Sequence, residues 1–269
     1  MPPASARPQR IVSLVPAVTE MIYAIGDGAR VAAVSNYDRF PADVARLPRV
    51  GGLLDPSVER ILAIKPDLVV VYATQQELIE RLDRAAIPYF NYQHRALPDI
   101  LTTIRAIGAR IGSAARAEAV ASAMERSLAE IRGRTAGLQH PATLLVFERD
   151  PGALRNVFAS GGYGFLHDML EIAGGRNVFA NLKQQAVQAS TEMLITSRPE
   201  VIVELLYGDS MKNADPVKGL RAWDILGSVP AVRGRRIFAL TGDEFVVPGP
   251  RVVDATRKLA RVIQPDAFK

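Results

Sequence analysis

Glu59 and Glu192 stand at equivalent places in two stretches that share one grammar. ERILAIKPDLVVV (59–71) reads as a helix, a proline break and a buried strand, and EMLITSRPEVIV (192–203) repeats it. Lys65 then falls on Arg198, Pro66 on Pro199 and Asp67 on Glu200. Two matched carboxylates have two uses. Each is favoured by the positive end of its own helix as a solvated first-turn acid. Alternatively, the pair offers two fixed negative charges to a partner with two cationic sites, which governs orientation and on-rate more than affinity.

Catalytic and metal chemistry have less to work with. The chain has no cysteine, hence no thiol nucleophile, disulfide or thiolate metal site. His94, His140 and His167 lie far apart without paired spacing, so no metal-ligating set is expected. Ser160-Gly-Gly-Tyr-Gly precedes a helix and could cradle a phosphate, but it is neither a GxGxxG turn nor a Walker loop. No GxSxG or Ser/His/Asp set accompanies it, so no catalytic residue is assigned, and a doubly wound α/β enzyme remains the alternative class. Arg149 and Arg155 are available to an anionic ligand.

These groups need elements to hold them. Residues 113–138 are expected to form one long helix: 114–132 hold no Gly or Pro, and Ala117, Val120, Ala121, Met124, Leu128 and Ile131 recur on one face. Ser113 can cap its start, and Gly133 and Gly137 mark where it should stop. About twenty helical residues span roughly 30 Å, enough for a strut between two halves. On either side strands alternate with helices: 10–14, 31–35, 67–72 and 89–92 before the strut, and 143–147, 201–205 and 236–240 after it. Alternation implies parallel sheets whose carboxyl ends form the ligand crevice. The expected organisation is an N-terminal lobe 1–112, a backbone helix 113–138 and a C-terminal lobe 139–269.

Bulk properties bound the function. A chain of 269 residues with 48% apolar content can bury one large or two medium cores. The net charge of +5 comes from scattered Arg without a basic run or interleaved aromatics, so nucleic acid is not an expected partner. No apolar run is long enough to span a membrane, and MPPASARPQR lacks the apolar core of a leader.

In order, IVSLVPAVTEMIYAIGDGARVAAVSNYDRFP, LPRVGGLLDPSVERILAIKPDLVVVY, FASGGYGFLHDMLEIAGGRNVF, TEMLITSRPEVIVE and RAWDILGSVPAVRGRRIFAL resemble the substrate-binding proteins of metal-chelate ABC importers. The resemblance covers nearly the whole chain and is nearest to members that bind vitamin B12; haem- and siderophore-binding members share the scaffold. It implies an α/β fold of two Rossmann-like lobes joined by a long backbone helix, the helical-backbone or class III arrangement, with the ligand between the lobes. It also implies no catalysis, no cofactor besides the ligand, a monomer, and a periplasmic location with the leader absent from this sequence. Glu59 and Glu192 become the acids that dock onto arginines of the two importer membrane subunits.

The resemblance also names ligand contacts. Tyr37 and Phe158 fall on cleft aromatics of the B12-binding members, Leu53 and Ala186 on cleft tryptophans, and 241–247 on the ligand-touching loop of the second lobe. That loop brings Asp243, Glu244, Phe245, Val246 and Val247, with Arg155 as a cationic contact. Tyr72, ending a strand, stands where a haem-binding member could ligate iron, ahead of Tyr163 and Tyr207. Cobalamin or another corrinoid is the expected ligand, with haem or a ferric siderophore as alternatives. Loss of both tryptophans removes aromatic packing from a corrin, and Glu148, Arg149, Arg155 and Glu244 make this site more polar than that of the B12-binding members.

Overall fold

The computed structural model describes residues 7–93, 95–208 and 219–269; His94 and the start of 217–226, a stretch whose sequence reads as a helix, lie outside them. The chain divides into two compact units, Met1–His94 with Pro98–Glu125, and Arg95–Leu97 with Arg126–Lys269.

In the first unit β1 (Ile11–Ser13), β2 (Val31–Val34), β3 (Leu68–Tyr72) and β4 (Tyr89–Tyr92) form a parallel sheet in the order β2-β1-β3-β4. Parallel strands covered on both faces read as unbroken apolar runs, and Ile11, Val12, Val69, Val70 and Val71 are fully buried. The crossovers run through α1 (Pro16–Ala24), α2 (Val58–Ala63) and α3 (Gln76–Arg84). Pro16 opens α1, where a missing N–H costs nothing, and Gly26 leaves it at φ 86°.

Next come α4 (Leu97–Arg110) and the 22-residue α5 (Ala114–Thr135). Gly108 lets them approach closely, since a Cβ there would lie 2.1 Å from the Cβ of Ala117. Ala117, Ala121, Met124, Leu128 and Ile131 are buried along the expected face, and the helix runs unbroken through the 125/126 boundary. It passes Gly133, where a Cβ would meet nothing, and ends at Thr135, whose hydroxyl donates to the Ile172 carbonyl at 3.2 Å.

The second sheet departs from the all-parallel expectation. It contains β5 (Ala142–Glu148), β6 (Val157–Ser160), β7 (Arg176–Asn177), β8 (Ala186–Ala189), β9 (Val201–Leu206) and β10 (Ile237–Thr241), in the order β10-β9-β5-β6-β8 with β7 beside β5. β5, β7, β9 and β10 pair in parallel, whereas β5–β6 and β6–β8 are antiparallel. The cause is the short 149–156 connection; a parallel return needs roughly a dozen residues or more. Helices α6 (Phe165–Ile172), α7 (Thr191–Thr196), α8 (Pro230–Arg233) and α9 (Val252–Ile263) complete the unit.

The repeated grammar becomes repeated geometry. Ser57 caps α2 by accepting from Arg60 N, and Ser190 caps α7 by accepting from Met193 N. Eight positions after each cap the backbone turns left-handed, at Lys65 (φ 52°) and Arg198 (φ 47°), and a buried proline follows. The next residue is an acid that grips the neighbouring strand: Asp67 accepts from Gln9 N (2.6 Å) and Arg10 N (2.8 Å), and Glu200 accepts from Ala142 N (2.7 Å). Their own amides return the bond, to Arg10 O and Ala142 O.

Asp27 makes a different knot. One of its oxygens meets Arg7 (3.1 Å), Arg30 (2.8 Å) and Arg116 (2.7 Å), joining the segment before β1, the turn before β2 and the start of α5. Burial alone would raise its pKa, but hydrogen bonding with Ser113, Arg30 and Arg116 outweighs it and holds the carboxyl at about 2. A folded pKa below the unfolded value gives stability that is present above about pH 4 and lost as the pH falls towards 2. Asp27→Asn should cost about 2 kcal/mol at neutral pH and flatten the acid limb of urea-unfolding stability. An acid limb that matches the wild type would contradict this assignment.

Candidate functional site

At the carboxyl ends of β2 and β3 three expected ligand residues are knit together. Gln75 accepts from Tyr72 N (2.9 Å) through its side-chain oxygen and donates to Gly52 O (3.1 Å) and Leu53 O (3.0 Å). The strand end is thereby tied to the 51–54 loop. Asn36 N donates to Gly51 O at 2.8 Å, which brings the loop after β2 alongside. Tyr37 then lies against the backbone of Gly52, where a Cβ would sit 2.5 Å from its ring. Tyr37 is 65% exposed, Leu53 38% and Leu54 93%, an apolar surface left open on one loop pair.

Beneath this surface is a polar base that sequence reasoning missed. Asp38 is buried and accepts from the amide and hydroxyl of Ser35, while Arg49 donates to the Ser35 (2.7 Å) and Asp38 (2.8 Å) carbonyls. Burial pushes the Asp38 carboxyl up, against the hydrogen bonds from Ser35. Tyr72 is half-buried, packed edge-on against Tyr92 with centroids 5.9 Å apart; burial first and the Asp38 charge second push its phenol up to about 12. Gln75 carried no signal in the sequence because a lone glutamine near a helix start has many surface roles.

In the second unit Phe158, half-buried on β6, stacks obliquely on Phe147 at 6.5 Å. Arg155 is largely exposed and reaches Asp150 at 3.4 Å. Asp243 accepts from Gly208 N (2.9 Å) and its carbonyl receives the amides of Val246 and Val247, so the 241–247 loop is held to the end of β9. Ala186 is exposed on β8.

Three expectations in this unit need correction. Arg149 is not available to an anion: its guanidinium forms a buried two-pronged pair with Glu204 (2.5 and 3.0 Å), and Trp223 donates to the same carboxylate at 2.6 Å. Glu244 is taken by Arg251 (3.3 Å) and Lys258, which hold its carboxyl low against burial. Those three, with Asp254, Arg257 and Arg261, line a hollow of about 400 Å³ on the α9 side. Phe245 is fully buried with the Lys258 ammonium 5.9 Å from its ring centroid, so it wedges the loop rather than facing a ligand.

Glu59 and Glu192 are both exposed in the first turns of α2 and α7, two positions after their capping serines. His140 Nε2 lies 3.1 Å from Thr135 O, and His167 Nδ1 lies 3.3 Å from the Asn177 amide. Among the described residues no group of three or more His, Cys, Asp or Glu gathers for a metal, and no helix is long and apolar enough to cross a membrane.

A family model described as periplasmic binding protein matches residues 11–244. An uncharacterised ABC transporter substrate-binding lipoprotein of Bacillus subtilis is 27% identical over 97% of this chain and 82% of its own length. A vitamin B12-binding protein of Yersinia pestis is 29% identical over 96% of this chain and 87% of its own. Among solved structures, a periplasmic haem-binding protein of Roseiflexus sp. RS-1 in its apo form superposes with a TM-score of 0.81 at 27% identity, covering 96% of this chain and 99% of that one.

The seat of Tyr37 is directly testable. Gly52→Ala puts a methyl where the ring lies, and the exposed ring can swing away at little cost to the fold. The variant should melt within about 3 °C of wild type, the shift expected of less than about 1 kcal/mol in a domain this size, while the Tyr37 ring resonances move. Unmoved resonances would mean that Tyr37 does not rest on Gly52.

Proposed function

The chain belongs to the periplasmic binding protein family, and we propose that it captures a metal chelate, a corrinoid ahead of haem or a ferric siderophore, outside the cytoplasmic membrane. Members of that family bind substrates for transport, and this chain is a binding protein rather than an enzyme. In this reading it delivers the chelate to the membrane subunits of an ABC importer, with Glu59 and Glu192 as the acids that dock.

The observation that carries the reading is the open apolar surface of Tyr37, Leu53 and Leu54 at the carboxyl ends of β2 and β3. An uncharged surface on a rigid, hydrogen-bonded base suits a large flat guest with an apolar face. Tyr72 supplies a polar edge beside it. Phe158, Asp243, Val246, Val247 and Arg155 keep, in this reading, the ligand role that the resemblance gives them. The similarity to a vitamin B12-binding protein supports a corrinoid.

Haem is the second reading, supported by the haem-binding relative and by Tyr72 at its strand end. Against it, a phenol pushed up to about 12 holds its proton, which ferric iron would have to displace.

Native mass spectrometry with absorption spectra, after exposure to cyanocobalamin, haemin and a ferric siderophore, tests the ligand. A one-to-one cyanocobalamin adduct is expected, weakened on the order of tenfold by Tyr37→Ala. A Soret band lost in Tyr72→Phe would move the assignment to haem; no adduct with any of the three would end the chelate reading. Docking is tested apart from binding. Glu59→Arg with Glu192→Arg should abolish uptake while chelate affinity stays unchanged, and normal uptake by the double variant would remove both acids from the interface.

A further inference from the structure

The exposed face of α2 and that of α7 match beyond their acids. Leu62 is 39% exposed and Ile195 40%, and each lies three residues after its glutamate and five after its capping serine. Residues three apart share a helix face, so each helix presents one carboxylate beside one bare aliphatic side chain. Among the described residues the other large exposed hydrophobics lie in loops or in a 3-10 turn; these two sit in α-helices. The position before each, Ile61 and Leu194, is fully buried and supplies the core contact.

We propose that Leu62 and Ile195 are the apolar anchors of the importer docking surface, each filling an apolar pocket beside a cationic group on a membrane subunit. This rests on the docking reading above and specifies its energetics. A single exposed leucine needs no explanation. What needs one is its recurrence at the same step of a duplicated helix, beside the same acid. Two copies of one acid-and-aliphatic patch fit a partner that itself presents one basic-and-apolar patch twice. In such an interface the exposed carboxylate steers and orients, whereas the desolvated aliphatic side chain carries affinity.

The test measures binding of the full chain to its cognate importer membrane complex in nanodiscs. Leu62→Ser and Ile195→Ser should each weaken binding about tenfold, mainly through faster dissociation, and the double variant more. Leu138→Ser removes a side chain of similar exposure, 42%, outside both helices, and should leave importer binding unchanged. Melting temperature and the cyanocobalamin spectrum should match wild type in every variant, which separates lost docking from lost folding. A double variant that binds within about twofold of wild type would overturn the anchors. So would an equal loss in Leu138→Ser, or a wild-type chain that does not bind the importer. Importer binding that depends on both side chains supports the anchors even where cyanocobalamin does not bind, so the two readings fail separately.

Discussion

One carboxylate grip, used twice, sets the geometry on which everything else depends. Asp67 fastens the start of β3 to the start of β1, and Glu200 fastens β9 to β5, each through a side chain and an amide that bond the same neighbouring strand. A strand slipped by one residue would turn its apolar side chains to the wrong face, so a charge-assisted bond at the first residue fixes the register of the central pair. The left-handed residue and proline just before it fix where the preceding helix ends. Helix and strand thus meet at the same kind of joint in both units, with the same cap, left-handed residue, proline and acid.

At the opposite ends of the strands the two units differ. The first unit completes its site with neutral hydrogen bonds: Gln75 joins strand to loop, and Gly52 gives the Tyr37 ring a flat seat. The second spends charge instead, burying Arg149 against Glu204 to hold the hairpin and the segment from Gly219. A buried pair of this kind costs desolvation, and removing one partner would strand a charge, so its value lies in fixing one arrangement of loops. The repeat therefore governs the joint and the docking helices, while the ligand loops are free to diverge.

What was legible in the sequence follows this division. The helix-proline-strand units, the long apolar face of α5 and the paired acids have strict spacing, and spacing is what a sequence records. The antiparallel half of the second sheet was less visible. β8, with Val187 and Ala189 buried between exposed Ala186 and Gln188, alternates too briefly to announce a strand. The least visible features depend on distant partners: Arg149 looked available until Glu204, on another strand, claimed it, and Gln75 acquires meaning only from loop carbonyls more than twenty positions earlier. Glu244 and Phe245 were placed by likeness to relatives, and local packing against α9 redirects both.

Amide hydrogen exchange with and without cyanocobalamin tests most directly the claim that the chelate is held at the carboxyl ends of the strands while the docking helices stay free. Slowed exchange is expected in peptides covering 36–38, 52–54 and 72–76, with α2 and α7 unchanged. Protection confined to α2, α7 or α9, with 36–54 exchanging as in the free protein, would contradict it.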